Sequence, residues 1–190
     1  MTEQTPKKPV EIIDSPIYMD YNFSAGRATA HFLRSIKDGK LVGQRSPITG
    51  KVIVPPRGSD PETGEATTEE VTLGDTATVI SFTVVYIPIP NSAVQPPFVV
   101  ANLVLDDSDQ TFIHLVSGCK NEDVQIGTRV KAVWKDKSEW GYGLDNIAYF
   151  QPNGQAAIDI EQLKIKRLKE TAIFRQKTKK ENLKKESVHA

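Results

Sequence analysis

Apolar positions in this chain change period along its length. Between Ser24 and Asp38, Ala28, Phe32, Leu33 and Ile36 fall at spacings of four, one and three, which is one face of a helix. Ser24 is placed to cap its first turn and Asp38-Gly39 to stop it. From Thr76 the pattern becomes that of strands. The run TATVISFTVVYI (76–87) is dense in β-branched and aromatic side chains, which suit a pleated, partly buried surface. Its length predicts a bent or bulged strand that serves two sides of a curled sheet. Further strands are predicted at Phe98–Leu105, at Thr111–Val116, after Gly127-Thr128-Arg129-Val130 and ending at Trp134, and at Asn146–Phe150. The connections are a Thr- and Glu-rich loop leading into the first of these strands (64–75), a proline-rich loop (88–97), an acidic turn (106–109) and a longer crossover (117–126).

Five strands with short turns, one long crossover and a bent first strand match the small, partly open barrel of the OB-fold. A β-sandwich fragment is the competing architecture, but five strands in so short a segment would leave its edges bare. From about Ile158 the sequence turns charged and helical again. Ile165, Leu168 and Ala172 line one narrow stripe among lysines, so this end reads either as a docking helix or as a solvated tail.

Between the first helix and the first long strand lies GQRSPITGKVIVPPRGSDPETG (43–64). Two tight turns, Ser46-Pro47-Ile48-Thr49 and Asp60-Pro61-Glu62-Thr63, bracket a short apolar strand and Pro55-Pro56-Arg57. This is the outline of a zinc ribbon whose ligand positions hold Ser46, Thr49, Asp60 and Thr63. Structural zinc takes four Cys or His ligands in a closed tetrahedron, so no bound metal is expected here. The predicted layout is a disordered N-terminus (1–15), a helical segment (16–40), a degenerate rubredoxin-like ribbon (41–66), an OB-fold (67–154) and a basic helical tail (155–190). The fold class is mainly β.

The overall composition is that of an ordinary soluble protein, and no apolar run approaches the roughly 18 residues of a membrane helix. No secretory signal is recognisable, and the single cysteine, Cys119, excludes an internal disulfide; both fit the cytoplasm. A formal net charge of zero conceals an asymmetry. Residues 161–190 carry ten Lys or Arg against four Glu, which leaves the first 160 residues with an equal acidic excess.

Candidate chemistry is sparse. Cys119 and His114 lie five residues apart, and a nucleophile would need them oriented together with a third group. His31, His114 and His189 have no ligand spacing. Arg57 follows two prolines, so its stiff backbone can present a guanidinium to a carboxylate or a phosphate; alternatively it closes the ribbon against an acid. Arg45 and Lys51 either extend a basic rim or are simply solvated. Single-stranded nucleic acid is the alternative ligand of an OB-fold, with Phe82, Tyr86, Phe98, Phe112 and Trp134 as a candidate stacking platform. The barrel segment 64–152 carries five basic against twelve acidic residues, which repels phosphates and makes nucleic acid the weaker reading.

The order of parts, a short helix, then GQR..P..GKV.VPPRG, then PPFVVANLVLDD and IGTRVKAVW, resembles a bacterial and archaeal family of zinc-ribbon plus OB-fold proteins. That family is described as acyl-CoA-associated and was formerly catalogued as a domain of unknown function. The likeness covers roughly residues 20–152. It implies a non-catalytic partner of a thiolase-superfamily enzyme, a lipid-transfer-protein-like thiolase or an aldolase of steroid or aromatic degradation, held in a hetero-oligomer. Under that resemblance Arg57, Pro55, Pro56, Arg45, Lys51, Pro90 and Pro96 become the expected contacts to partner or acyl-CoA. No cofactor is expected beyond a CoA thioester shared with the enzyme. A ribbon without zinc lacks a stabilisation on the order of 10 kcal/mol, so it is expected to be ordered mainly when bound.

Overall fold

The computed structural model describes residues 15–88, 92 and 94–188, with side chains up to residue 180. The disorder expected over 1–15 therefore falls almost wholly outside the described residues, as do Pro90 and His189. Helix α1 spans Gly26–Lys37. Ser24 does not cap it, because the N-cap is Ala25 and no side chain bonds the first turn. The stop was legible: Asp38 is the C-cap, and Gly39 follows at φ 72°, the left-handed conformation that glycine adopts without a Cβ penalty. Phe32 and Ile36 point inward from α1 and are essentially solvent-free.

Two sheets follow. The first has three strands in the order β2-β1-β3, formed by Leu41–Arg45 (β1), Val52–Ile53 (β2) and Glu69–Leu73 (β3). The stretch 64–75, read from sequence as a loop, thus contributes a strand that pairs with β1 from Leu41↔Leu73 to Arg45↔Glu69. The second sheet is a closed five-stranded barrel in the order β4-β5-β6-β8-β7, built from Thr76–Val85 (β4), Phe98–Leu105 (β5), Thr111–Val116 (β6), Arg129–Trp134 (β7) and Ile147–Pro152 (β8). Strands β6 and β8 meet in parallel, and the other pairings are antiparallel. The first strand bends as expected: the β4–β5 register shifts between Val79 and Ser81, and the residues before that point also pair with β7. This is a mainly β molecule with an OB-fold barrel and a helix at each end.

Alternation along β5 shows what fixes the barrel. Val99, Ala101, Leu103 and Leu105 face inward with almost no exposure, and burying each Val or Leu is worth roughly 1.5–3 kcal/mol. The same apolar cluster runs without a break through Phe32 and Ile36 of α1, through Leu41, Val42, Val52, Val54 and Leu73 of the small sheet, and into the barrel. The ribbon module is therefore packed on the chain's own barrel and helix, and the support expected from a partner is supplied internally.

Helix α2 spans Ile160–Val188. The stripe of Ile165, Leu168 and Ala172, read as one face of either a partner-docking helix or a solvated tail, faces solvent. The face that docks carries Leu163, Arg167, Thr171 and Phe174. Arg167 Nη2 donates to Asp109 Oδ2 at 2.6 Å, and Arg167 Nε to Oδ1 at 3.0 Å. The same aspartate accepts from the Val52 N–H at 2.8 Å, while its own N–H donates to the Val52 carbonyl. Asp109 thus joins barrel, ribbon and helix, and Arg167 of the basic tail meets an acid of the body.

Farther along, Phe174 covers Gly50 so closely that a Cβ there would meet Phe174 Cδ1 at 2.7 Å, and Gly50 sits at φ +73°. Arg175 Nε donates to the Thr49 carbonyl at 3.2 Å beside this contact. Gly50→Ala is expected to cost about 1–2 kcal/mol in backbone strain and to lift Phe174 off the ribbon. Hydrogen exchange should then quicken in α2 after Thr171 and stay unchanged in the barrel strands.

Candidate functional site

The two tight turns superimpose in kind. Ser46 N–H donates to the Lys51 carbonyl at 2.9 Å and Gly50 N–H to the Ser46 carbonyl at 3.0 Å. Asp60 N–H donates to the Glu65 carbonyl and Gly64 N–H to the Asp60 carbonyl, both at 2.8 Å. Gly50 and Gly64 both hold positive φ. These are the paired knuckles of a ribbon, and they bring Ser46, Thr49, Asp60 and Thr63 to one place.

There the side chains converge on one carboxylate. Thr49 Oγ1 donates to Asp60 Oδ2 at 2.8 Å, and the Glu62 N–H donates to Asp60 Oδ1 at the same distance. The Ser46 and Thr63 hydroxyls lie near enough to favour its charged form. Ser46 Oγ accepts from the Thr49 N–H at 3.0 Å and the Ile48 N–H at 3.3 Å. Ser46, Thr49 and Asp60 are buried, whereas Thr63 lies at the surface. Burial pushes the Asp60 pKa up, but the hydrogen bonds from Ser46, the Glu62 amide, Thr49 and Thr63 outweigh it and hold the carboxyl below its ordinary value. The donor set does not suit structural zinc: it comprises three hydroxyls and one carboxylate, and the carboxylate already accepts from Thr49. Among the described residues no cluster of three or more His, Cys, Asp or Glu is placed to hold a metal ion.

The predicted contact residues separate. Arg45 is occupied: Nε donates to Glu69 Oε1 at 3.0 Å and Nη1 to the Gly50 carbonyl at 3.1 Å, and the guanidinium lies over Phe174. Lys51 pairs with Glu62. Pro56 is buried and its carbonyl accepts from Thr29 Oγ1 of α1, while Pro55 is half-buried after a cis Val54–Pro55 bond. Arg57 is exposed, and among the described residues no hydrogen bond or ion pair engages it. Pro96 is half-buried and precedes Pro97 through a cis bond.

The nucleophile candidates are held inert. The His114 ring packs edge-on against Phe112 and Phe150, and Nδ1 accepts from the Leu115 N–H at 2.9 Å. Burial lowers its pKa, so the ring is neutral at pH 7. Cys119 is shifted the other way: burial and the nearby Asp123 charge raise its pKa and keep it a thiol, the unreactive form. Of the stacking candidates, Phe112 and Trp134 pack partly buried against the core and Phe98 is half-buried, which leaves Phe82 and Tyr86 as the ones exposed. A cleft of about 590 Å³ between the 105–108 turn, Arg129 and α2 is lined by charges that, Asp107 apart, are paired. Arg129 is bonded to Asp106, Arg167 to Asp109 and Lys166 to Glu170.

Sequence reasoning missed the anchors of this arrangement. Arg129 is buried, donating to both Asp106 oxygens at 2.7 and 2.6 Å, to Thr78 Oγ1 at 2.7 Å and to Gln155 Oε1 at 3.1 Å. Buried Asn146 donates to the Ile36 and Gly141 carbonyls and accepts from the Gly141 N–H, tying α1 to the barrel. The excess of acids in the 106–109 turn was the available signal for the first; nothing local marks the second.

These features define a class: an OB-fold barrel fused to a knuckled ribbon, with an exposed arginine and, apart from the solvent-exposed contact of His31 with Glu70 at 2.5 Å, no acid–base or nucleophilic pair among the described residues. Comparison with known proteins agrees. Residues 70–135 match the family described as the ChsH2 C-terminal OB-fold domain. A DUF35 domain-containing scaffold protein of Methanocaldococcus jannaschii is 32% identical over 102 residues, which is 53% of this chain and 72% of that protein. The chain belongs to the DUF35 family of OB-fold proteins. Among solved structures, the Ltp2-ChsH2(DUF35) aldolase has a chain matching with TM-score 0.52 and 24% identity, over 67% of this chain and 95% of that one. A DUF35 protein of unknown function from Sulfolobus solfataricus matches with TM-score 0.50 and 18% identity, over 66% and 84% respectively. At these identities the structural likeness is one of fold.

Proposed function

We propose that this chain is a non-catalytic accessory subunit whose OB-fold and metal-free ribbon bind a thiolase-like enzyme, a lipid-transfer-protein-type thiolase or an aldolase. In that complex it supports acyl-CoA binding or channelling in lipid, steroid or aromatic metabolism. The observation that carries this reading is the contrast between inert and free groups. His114 and Cys119 are neutralised by burial, while Arg57, on a proline-stiffened loop buttressed by α1, has no partner within the described chain. Two names support it: a relative is called a scaffold protein, and a structural neighbour is an aldolase named as a complex containing a DUF35 chain. Arg57 binds a CoA phosphate in this account, and the enzyme supplies every catalytic residue. The chain works in the cytoplasm, without zinc and without nucleic acid.

Co-purification with the thiolase-superfamily subunit, followed by acyl-CoA turnover assays with and without this chain, tests the proposal. Stable association and a dependence of turnover on the chain are expected. Arg57→Ala should raise KM for the acyl-CoA about tenfold, the loss of one charge-assisted bond, and leave complex formation intact. No complex, or turnover indifferent to the chain, defeats the reading.

A further inference from the structure

Residues 17–23, Ile-Tyr-Met-Asp-Tyr-Asn-Phe, are among the most exposed apolar segments of the chain. Ile17, Tyr18, Met19, Tyr21 and Phe23 are each 75–91% exposed. They have no regular secondary structure, and no backbone hydrogen bond ties them to the rest of the described residues. Soluble surfaces tolerate single exposed apolar residues, but five within seven positions mark an interaction site.

The order of side chains says what kind. Ile17, Met19, Tyr21 and Phe23 alternate with Tyr18, Asp20 and Asn22, and Ser24 continues the polar series. A period of two places four apolar groups on one face of an extended chain and mostly polar ones on the other, the pattern of a half-buried strand. Here that strand has no sheet. Its C-terminal end is nevertheless fixed, because it runs into α1 through Gly26 at φ 73°. The first turns of α1 pack on the ribbon loop: Thr29 bonds the Pro56 carbonyl, and Ala28 lies against Gly58. The segment therefore springs from beside Arg57, the exposed cation of the proposed partner face.

We propose that residues 17–23 are a donated strand that adds to the edge of a β-sheet in the enzyme subunit, with Ile17, Met19, Tyr21 and Phe23 filling an apolar groove under that edge. This mode takes affinity from main-chain hydrogen bonds and selectivity from alternate side chains. Four such side chains bury roughly 600–800 Å², close to one partner's share of a stable interface. A second copy of the chain is the poorer occupant, since its first 160 residues carry a net acidic excess that would face itself. The inference rests on the accessory-subunit reading and specifies its contact.

The test uses the full-length chain and the thiolase-superfamily subunit with which it purifies. Hydrogen exchange is read at residues 17–23 in the isolated chain and in the complex, alongside dissociation constants for two variants. Free exchange in isolation, slowing at alternate amides in the complex, an about 100-fold weaker complex for Met19→Asp/Tyr21→Asp and an unchanged one for Asn22→Asp are expected. These exposed positions contribute nothing to the core, and circular dichroism confirms that each variant is folded. A complex in which these amides exchange as freely as in isolation overturns the strand and leaves the accessory reading standing. Equal losses from both variants also overturn it, because they would show no preferred face. Absence of any complex overturns both, and a homodimer closed through residues 17–23 reassigns the segment to a second copy.

Discussion

Asp60→Ala is expected to lower the stability of this protein by about 4 kcal/mol and to release the ribbon. The carboxylate accepts from Thr49 Oγ1 and the Glu62 N–H, the Ser46 and Thr63 hydroxyls lie beside it, and it is buried. Each hydrogen bond to a charged acceptor is worth roughly 1.5–3 kcal/mol, and its loss strands buried donors that water cannot reach. Asp60→Asn keeps the volume but loses the charge, so it should fall between alanine and the parent. The pH dependence has a fixed sign. A carboxyl held below its ordinary value contributes stability that is fully present above the unfolded pKa and fades as pH falls through the folded one. Denaturant unfolding between pH 7 and pH 3 should therefore show an acid loss, below about pH 4, that Asp60→Asn lacks. Identical acid profiles for parent and variant would refute the account.

The second large effect is expected at Arg129. Arg129→Leu removes a buried guanidinium that bridges β4, the β5–β6 turn and the segment after β8, leaving Thr78 Oγ1 buried beside an apolar side chain. Asp106 is partly exposed and regains water, so the cost is expected near 3 kcal/mol, at the lower end for breaking a buried pair. Arg129→Lys should recover only part of it, because an ammonium cannot make the two-pronged bond to Asp106. Urea midpoints of the three proteins give the ranking, and a lysine variant as stable as the parent would show that charge alone suffices.

What could be read ahead of the structure divides by the kind of signal. The barrel strands were legible because β-branched residues and inward alternation mark them locally, and the bend in β4 followed from its length. Strand β3 was not, since Glu69, Glu70 and Thr72 on a half-exposed edge look like a loop until β1 is beside them. The two tight turns at 46–49 and 60–63 were legible through their repeated residue pattern; that they meet at one carboxylate is a fact of three dimensions. Helix α2 shows the limit of periodicity. Its apolar stripe, Ile165, Leu168 and Ala172, is left to solvent, and the face packed on the rest of the chain is set by Arg167 meeting Asp109 and by one aromatic ring, Phe174, settling on Gly50, neither of which a periodic pattern shows. The exposed alternation at 17–23 went unread because its strand partner lies outside the chain.

The knot at Ser46, Thr49, Asp60 and Thr63 also changes what can harm the molecule. A ribbon clamped by thiolates falls apart when peroxide oxidises its sulfurs or a chelator strips its ion. Hydroxyls and a carboxylate give such agents nothing to attack. The order of this module therefore rests on hydrogen bonds that neither a thiol oxidant nor a chelator attacks.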